Sequence, residues 1–206
     1  MEIVLASSSP RRRELIKQII SDYVVDFDNV EESFPNDVND YPPHKKAAYL
    51  AYIKGEAVAK RRPNDFVISA DTIVYYDGQI LGKPKDKEDA KRILRFLNNK
   101  RHEVCTGISL HYKGEVLNAW EISYVTFNDL SEELIESYVN SGSPLDKAGA
   151  YGFQDNKEFP IVKEVEGDIN NIIGLPTDLL KEKILLFIEK EIGKYPELIE
   201  LKKKIK

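Results

Sequence analysis

Apolar and polar positions change period several times along the chain, and each change marks an element. Ile3 to Ala6 is an apolar run that reads as a strand, broken by Ser7-Ser8-Ser9-Pro10. Leu15, Ile16, Ile19 and Ile20 then fall at helical spacing, with Ser9 placed as N-cap and Pro10 at the first helical position. Tyr23 to Phe27 alternates and is β-branched, which predicts a second strand. Asp28 to Pro43 is acidic, holds three prolines and shows no period, which predicts a loop. His44 to Arg62 is alanine-rich and helical, stopped by Pro63. Phe66 to Ala70 reads as a fully buried strand that runs on extended through Ile73 to Tyr76. Asp77-Gly78 is a hairpin signal, and the returning strand ends at Leu81-Gly82-Lys83-Pro84.

Beyond this hairpin, Lys87 to Asn99 is an amphipathic helix with Ala90, Ile93, Leu94 and Leu97 on one face. Val104 to Tyr112 and Val116 to Phe127 alternate and form a strand pair turning at Lys113-Gly114. Ser131 opens a helix that reaches Asn140. Phe159 to Val165 is a strand, and Thr177 to Ile192 is the last long helix, with Leu180, Ile184, Phe187 and Ile188 inside. No repeat, low-complexity segment or long linker interrupts the order, so residues 1–206 read as one domain, with room for two lobes on a shared core.

Composition narrows the classes. Thirty basic and 35 acidic residues give a net charge of −5, without the basic excess of a duplex-DNA binder. Lys202 to Lys206 reads as a solvated basic tail. Cys105 is the single cysteine, so there is no disulfide framework or cysteine-rich metal site, which fits a reducing compartment. No run of about 18 apolar residues spans a membrane. The chain enters a strand at once, without a signal peptide, and a cytoplasmic location is expected.

Against this frame a few polar positions stand out. Arg11, Arg12 and Arg13 crowd a first helical turn, where the macrodipole disfavours cations. Free backbone N–H groups and guanidinium forks together suit an anion, and a solvated basic turn reads as well. Lys54 has Leu50, Ala51, Ala57 and Val58 as helical neighbours, so it either snorkels to the rim or reaches an anion. Asp71 ends a buried strand, which is costly for a carboxylate unless it is paired or holds a cation. Lys83 is fixed between Gly82 and Pro84, outside any Walker A pattern. Glu31 and Glu32 sit in the acidic loop, where solvation alone accounts for them. His44, His102 and His111 carry no metal-ligand pattern and read as structural or surface groups. Ser7, Ser8 and Ser9 lack a GxSxG context and read as phosphate or cap donors. The two glycines and small residues from Asp146 to Asp155 suggest backbone approaching a ligand or another strand. Cations mixed with carboxylates suit a polyphosphate with a divalent metal.

Ala6-Ser7-Ser8-Ser9-Pro10-Arg11-Arg12, Lys54, Ala70-Asp71-Thr72, Gly82-Lys83-Pro84, the run Asp146 to Gln154, Gly167-Asp168 and Gly174-Leu175-Pro176 together resemble the Maf family of nucleoside triphosphate pyrophosphatases. The resemblance covers nearly the whole chain. It implies an α/β fold similar to inosine triphosphatases, with an elongated mixed β-sheet flanked by helices and two lobes around a central cleft. It implies hydrolysis of a nucleoside triphosphate between the α and β phosphates, a divalent cation (Mg²⁺ or Mn²⁺), and no nucleic-acid or membrane partner; a homodimer stays open. By the same resemblance Asp71 is the proton acceptor that activates water, and Arg11, Thr72 and Gln154 set substrate choice, in a pattern similar to the dTTP- and UTP-directed branch. Ser9, Arg11, Arg12, Lys54 and Lys83 are assigned to phosphates, and Glu32 with Asp71 to the metal, Glu31 and Glu32 being indistinguishable at this level. A purine- or modified-nucleotide pyrophosphatase and a non-catalytic nucleotide-binding regulator of cell division remain the alternatives. Three departures from the family pattern are Ser69 before Ala70-Asp71-Thr72, Asp155 after Gln154, and Ile169-Asn170-Asn171 after Gly167-Asp168. Asp155 is expected to add negative charge beside the base pocket.

Overall fold

A computed structural model describes residues 1–206, the side chain of Asp37 excepted. In chain order the elements are β1 (Ile3–Leu5), α1 (Pro10–Ile16), β2 (Val24–Val25), α2 (Asn36–Asn39), α3 (Pro43–Arg61), β3 (Phe66–Tyr76) and β4 (Gln79–Leu81). Then follow α4 (Lys87–Leu97), β5 (Arg101–Tyr112), β6 (Glu115–Phe127) and α5 (Glu132–Asn140). After three 3₁₀ turns, at Ser143–Asp146, Ala148–Ala150 and Phe153–Lys157, come β7 (Val162–Glu166), α6 (Ile169–Ile173), α7 (Thr177–Glu191) and α8 (Leu198–Lys203). The strands make one mixed seven-stranded sheet in the order β2-β1-β3-β5-β6-β7, with β4 pairing β3. β1 runs parallel to β2 and β3 (Val4 opposite Val24 and Val67), while β3/β4 and β6/β7 are antiparallel. Helices flank the sheet, as an α/β chain requires.

The chain divides into two compact units: Met1–Asp71, Thr106–Glu121 and Gly174–Lys206 in the first, and Thr72–Cys105 with Ile122–Ile173 in the second. In the first unit, Val4, Ala6, Val58 and Val67 pack α3 against the parallel strands, and Phe66 meets Phe187 edge to face at 5.3 Å. Here α3 lies very close to the sheet. A Cβ on Gly107 would stand 2.3 Å from the Ala47 backbone, and one on Gly55 would stand 2.4 Å from Ser69 Oγ and His111 Nε2. Only glycine permits that approach, and it fixes the register of Lys54, the residue before Gly55. In the second unit, Ile93, Leu94 and Leu97 of α4 and Ile135 and Val139 of α5 bury against Val104, Val125 and Phe127.

Several elements differ from the sequence reading. β2 is only two residues long, because Tyr23 and Phe27 fall outside its parallel ladder with β1. The acidic stretch contains α2. α1 ends at Ile16, although Ile19 and Ile20 remain buried, Ile20 by bridging Ile205. β7 starts three residues late, since the Phe159 N–H turns back to the Asp155 carbonyl at 2.9 Å and the Ile161 N–H to the Phe159 carbonyl at 2.7 Å. The lysines of the basic tail, Lys202 to Lys204 and Lys206, are exposed as expected, while the helix before them is docked: Leu198 and Leu201 bury α8, and Lys204 pairs with Asp22 at 2.8 Å.

Candidate active site

The first unit gathers three of the expected residues, Arg12, Glu32 and Lys54, around the buried carboxylate of Asp71. α1 begins as the sequence requires. Ser9 is extended, and its Oγ accepts from the Arg12 N–H at 3.4 Å, while Ser7 Oγ accepts from the Ser9 N–H at 3.2 Å. Pro10 occupies the first turn, where its missing N–H costs nothing. Arg12 Nε donates to the Gly174 carbonyl at 2.7 Å, which ties the guanidinium to the segment just before α7. Three cations on a positive helix end are tolerable only with anions close by. Asp71 and Glu32 supply them, since both carboxylates pull the Arg12 charge toward its protonated form, while burial, the larger effect, lowers its pKa.

Asp71, on β3, is 7 % exposed. Burial raises its carboxyl above the usual range, and the Lys54 ammonium and the Arg12 guanidinium act against that rise. Lys54 Nζ donates to Asp71 Oδ1 and meets Glu32 Oε1 at 2.6 Å, so one ammonium bridges two carboxylates. Of the two glutamates left open in the loop, Glu32 is the one ion-paired to Lys54. Lys54 therefore does not snorkel outward; α3 turns it onto Asp71 in the middle of β3. The loop that carries Glu32 is tethered at its start, where Arg61 pairs with Asp26 and Asp28 and Arg62 with Asp26.

In the second unit, Thr72 follows Asp71 directly on β3. Lys83 is exposed beside Gly82, whose carbonyl accepts from the Gly149 N–H at 3.2 Å. Gln154 is exposed on the last 3₁₀ turn. Asp155 does not stand free in solvent: its carboxylate accepts from Tyr138 Oη and Ser143 Oγ, each at 2.7 Å. The other two departures are also structural. Ser69 Oγ donates to the Ala51 carbonyl at 2.6 Å, tying α3 to β3. Asn171 Nδ2 donates to Val104 O at 3.1 Å and to Ser123 Oγ at 2.9 Å, docking α6 on β5 and β6.

Sequence reasoning did not find Lys147. It is only 8 % exposed, and its Nζ donates to Ser143 O (2.5 Å), Ser143 Oγ (2.9 Å) and Asp146 Oδ1 (2.9 Å). The signal was there, a lysine amid small residues between two aspartates, but the glycines drew the reading. His102 and His111 are buried, against Tyr151 Oη and Ser109 Oγ respectively, each at 2.8 Å. Among the described residues no three His, Cys, Asp or Glu side chains form a metal-holding cluster, and no helix is long and apolar enough to cross a membrane.

These features define an α/β protein in which a serine-capped, arginine-rich helix start is electrostatically coupled to a buried carboxylate in the middle of β3, not at a strand end as the sequence suggested. The chain belongs to the Maf-like protein family, whose model matches residues 2–185. It is similar to a dTTP/UTP pyrophosphatase of Thermosipho africanus, 42% identical over 176 residues (85% of this chain, 88% of the relative). It is likewise similar to one of Pyrococcus furiosus, 41% identical over 175 residues (85% and 90%), and one of Bacillus mycoides, 40% identical over 191 residues (90% and 95%).

Proposed function

We propose that this chain is a nucleoside triphosphate pyrophosphatase that cleaves dTTP and UTP between the α and β phosphates, giving a monophosphate and pyrophosphate, as the names of its relatives indicate. The observation that carries the reading is Asp71, a buried carboxylate held by Lys54 and facing the charge of Arg12. A protein that merely bound nucleotide would have no use for so costly a group.

In this reading Asp71 takes the proton of the attacking water as the water oxygen bonds to phosphorus and the α–β bridge breaks. Burial makes the carboxylate more basic than an ordinary aspartate, and Lys54 and Arg12 act against that rise. Ser9, Arg11, Arg12, Lys54 and Lys83 bind phosphate oxygens and neutralise the charge that develops on the leaving group. Arg11, Thr72 and Gln154 select the base, Gln154 through an amide that both donates and accepts. Asp71 and Glu32 fit a hard divalent cation: their oxygens already share one positive charge, and Mg²⁺ commonly takes one or two carboxylates, with water and phosphate filling its remaining positions. Held there, Mg²⁺ or Mn²⁺ would neutralise charge on the triphosphate. The reading treats residues 1–206 as one Maf-like domain acting in a reducing, cytoplasmic setting.

The test is a panel of UTP, dTTP, GTP and ITP with Mg²⁺, with pyrophosphate and orthophosphate detected separately. Pyrophosphate release from UTP and dTTP is expected at rates at least about tenfold above ITP. Equal rates on UTP and ITP would remove the pyrimidine claim, and release of orthophosphate alone would remove the α–β cleavage.

A further inference from the structure

Asp155 follows the assigned specificity residue Gln154 directly, and its carboxylate is held in a hydrogen-bonded network. Its Oδ2 accepts from Tyr138 Oη and from Ser143 Oγ, each at 2.7 Å, and the Lys147 ammonium lies 3.8 Å away. Tyr138 Oη in turn accepts from the Gly152 N–H at 3.0 Å, and the Asp155 N–H donates to the Gly152 carbonyl at 3.1 Å. Gly152, Tyr138 and Asp155 therefore form a ring around the backbone of residues 152–155, anchored on α5. One residue further on, Asn156 is clamped to both backbone groups of Val162, at 2.7 and 3.0 Å. The turn is pinned on both sides of Gln154.

The same ring sets where the Gln154 amide lies. A Cβ on Gly152 would stand 2.9 Å from Gln154 Nε2 and 2.7 Å from Lys147 Cε. The amide thus folds over Gly152, on the side where the Lys147 stem passes. Without the Asp155 carboxylate, Tyr138 Oη and Ser143 Oγ lose a shared acceptor, and of the turn's two ties to Tyr138 on α5 only the one from the Gly152 N–H is left.

We infer that Asp155 is a positioning residue for nucleobase choice: held by Tyr138, Ser143 and Lys147, it fixes the turn that presents the Gln154 amide to the pyrimidine edge of a nucleoside triphosphate. The inference rests on the reading of Gln154 as a base contact.

The test compares Gln154→Ala, Asp155→Ala, Asp155→Asn and Tyr138→Phe by kcat and KM on UTP and ITP, with a thermal melt of each. Gln154→Ala is expected to lower the UTP/ITP ratio of kcat/KM. Asp155→Ala lowers the same ratio by at least roughly fivefold, mainly through KM for UTP, as loss of a hydrogen-bonded anchor should. Asp155→Asn keeps an acceptor oxygen and restores the ratio to within about twofold of the parent. Tyr138→Phe, which keeps the aromatic side chain but removes both the donor to Asp155 and the acceptor of the Gly152 N–H, also lowers the ratio and carries the test if Asp155→Ala does not fold. A ratio unmoved in Asp155→Ala and Tyr138→Phe, whatever their melting points, would overturn the inference while leaving Gln154 in place. A ratio unmoved in Gln154→Ala would overturn both the base-contact reading and the inference built on it.

Discussion

Lys54 shows how much one side chain can settle. On sequence it is an ammonium among Leu50, Ala51, Ala57 and Val58, and that apolar surround leaves two readings open. The structure resolves them because Asp71, only 7 % exposed, needs a counter-charge and Lys54 is in reach. Replacing Lys54 by Met removes one member of a largely buried pair, and about 3 kcal/mol of stability should go with it. Turnover should fall by at least about 100-fold as Asp71 loses a partner that favours its ionised form. Glu32→Gln, at a side chain 55 % exposed, should change stability by less than about 1 kcal/mol. Urea midpoints and steady-state rates of the two variants check this, and a Lys54→Met protein as stable as the parent would show that the pair is incidental. The glutamates of the same loop were not separable beforehand, because a segment without period gives no face on which to place them. The partners of Asp155 were not legible for a related reason: whether an acid faces solvent or a tyrosine depends on a helix 17 residues away in sequence.

Elements were legible where their signals are local. Ser9 and Pro10 at α1 and Ser131 at α5 work as caps, and Asp77-Gly78 and Lys113-Gly114 turn with positive φ at both residues, the geometry that two-residue hairpins favour. The long strands were recognisable from their apolar runs and alternation, and α4 from its stripe. Misreadings arose where tertiary partners decide. β2 is cut to two residues by the reach of its neighbour β1. α8 holds Leu198 and Leu201 three apart among lysines, which looks like a tail until Ile205 bridges Ile20 and the Lys206 N–H reaches the Ile19 carbonyl at 2.9 Å. Burial against a distant element cannot be read from a window of a few residues.

At the scale of the whole molecule, acid stability should follow the two buried histidines, one in each unit. Burial lowers His102 from 6.5 to about 3 and His111 from 6.5 to about 4. The unfolded chain binds those protons below about pH 6.5 and the native protein does not. Their contribution is therefore complete above pH 6.5 and drains away as the pH falls toward 4. Asp71, with its raised pKa, works in the opposite sense, so the informative comparison is between the parent and His102→Gln/His111→Gln. The parent's urea midpoint should fall between pH 7 and pH 4.5 more steeply than that of the double variant; parallel slopes would show that the buried imidazoles do not govern it. Activity is likewise a property of the assembled chain, and all of it is assigned here to one carboxylate. The most direct measurement is UTP turnover by Asp71→Asn beside its affinity for UTP. The account predicts a loss of at least about 100-fold in kcat with UTP still bound, whereas a variant that releases pyrophosphate at near the parental rate would contradict it.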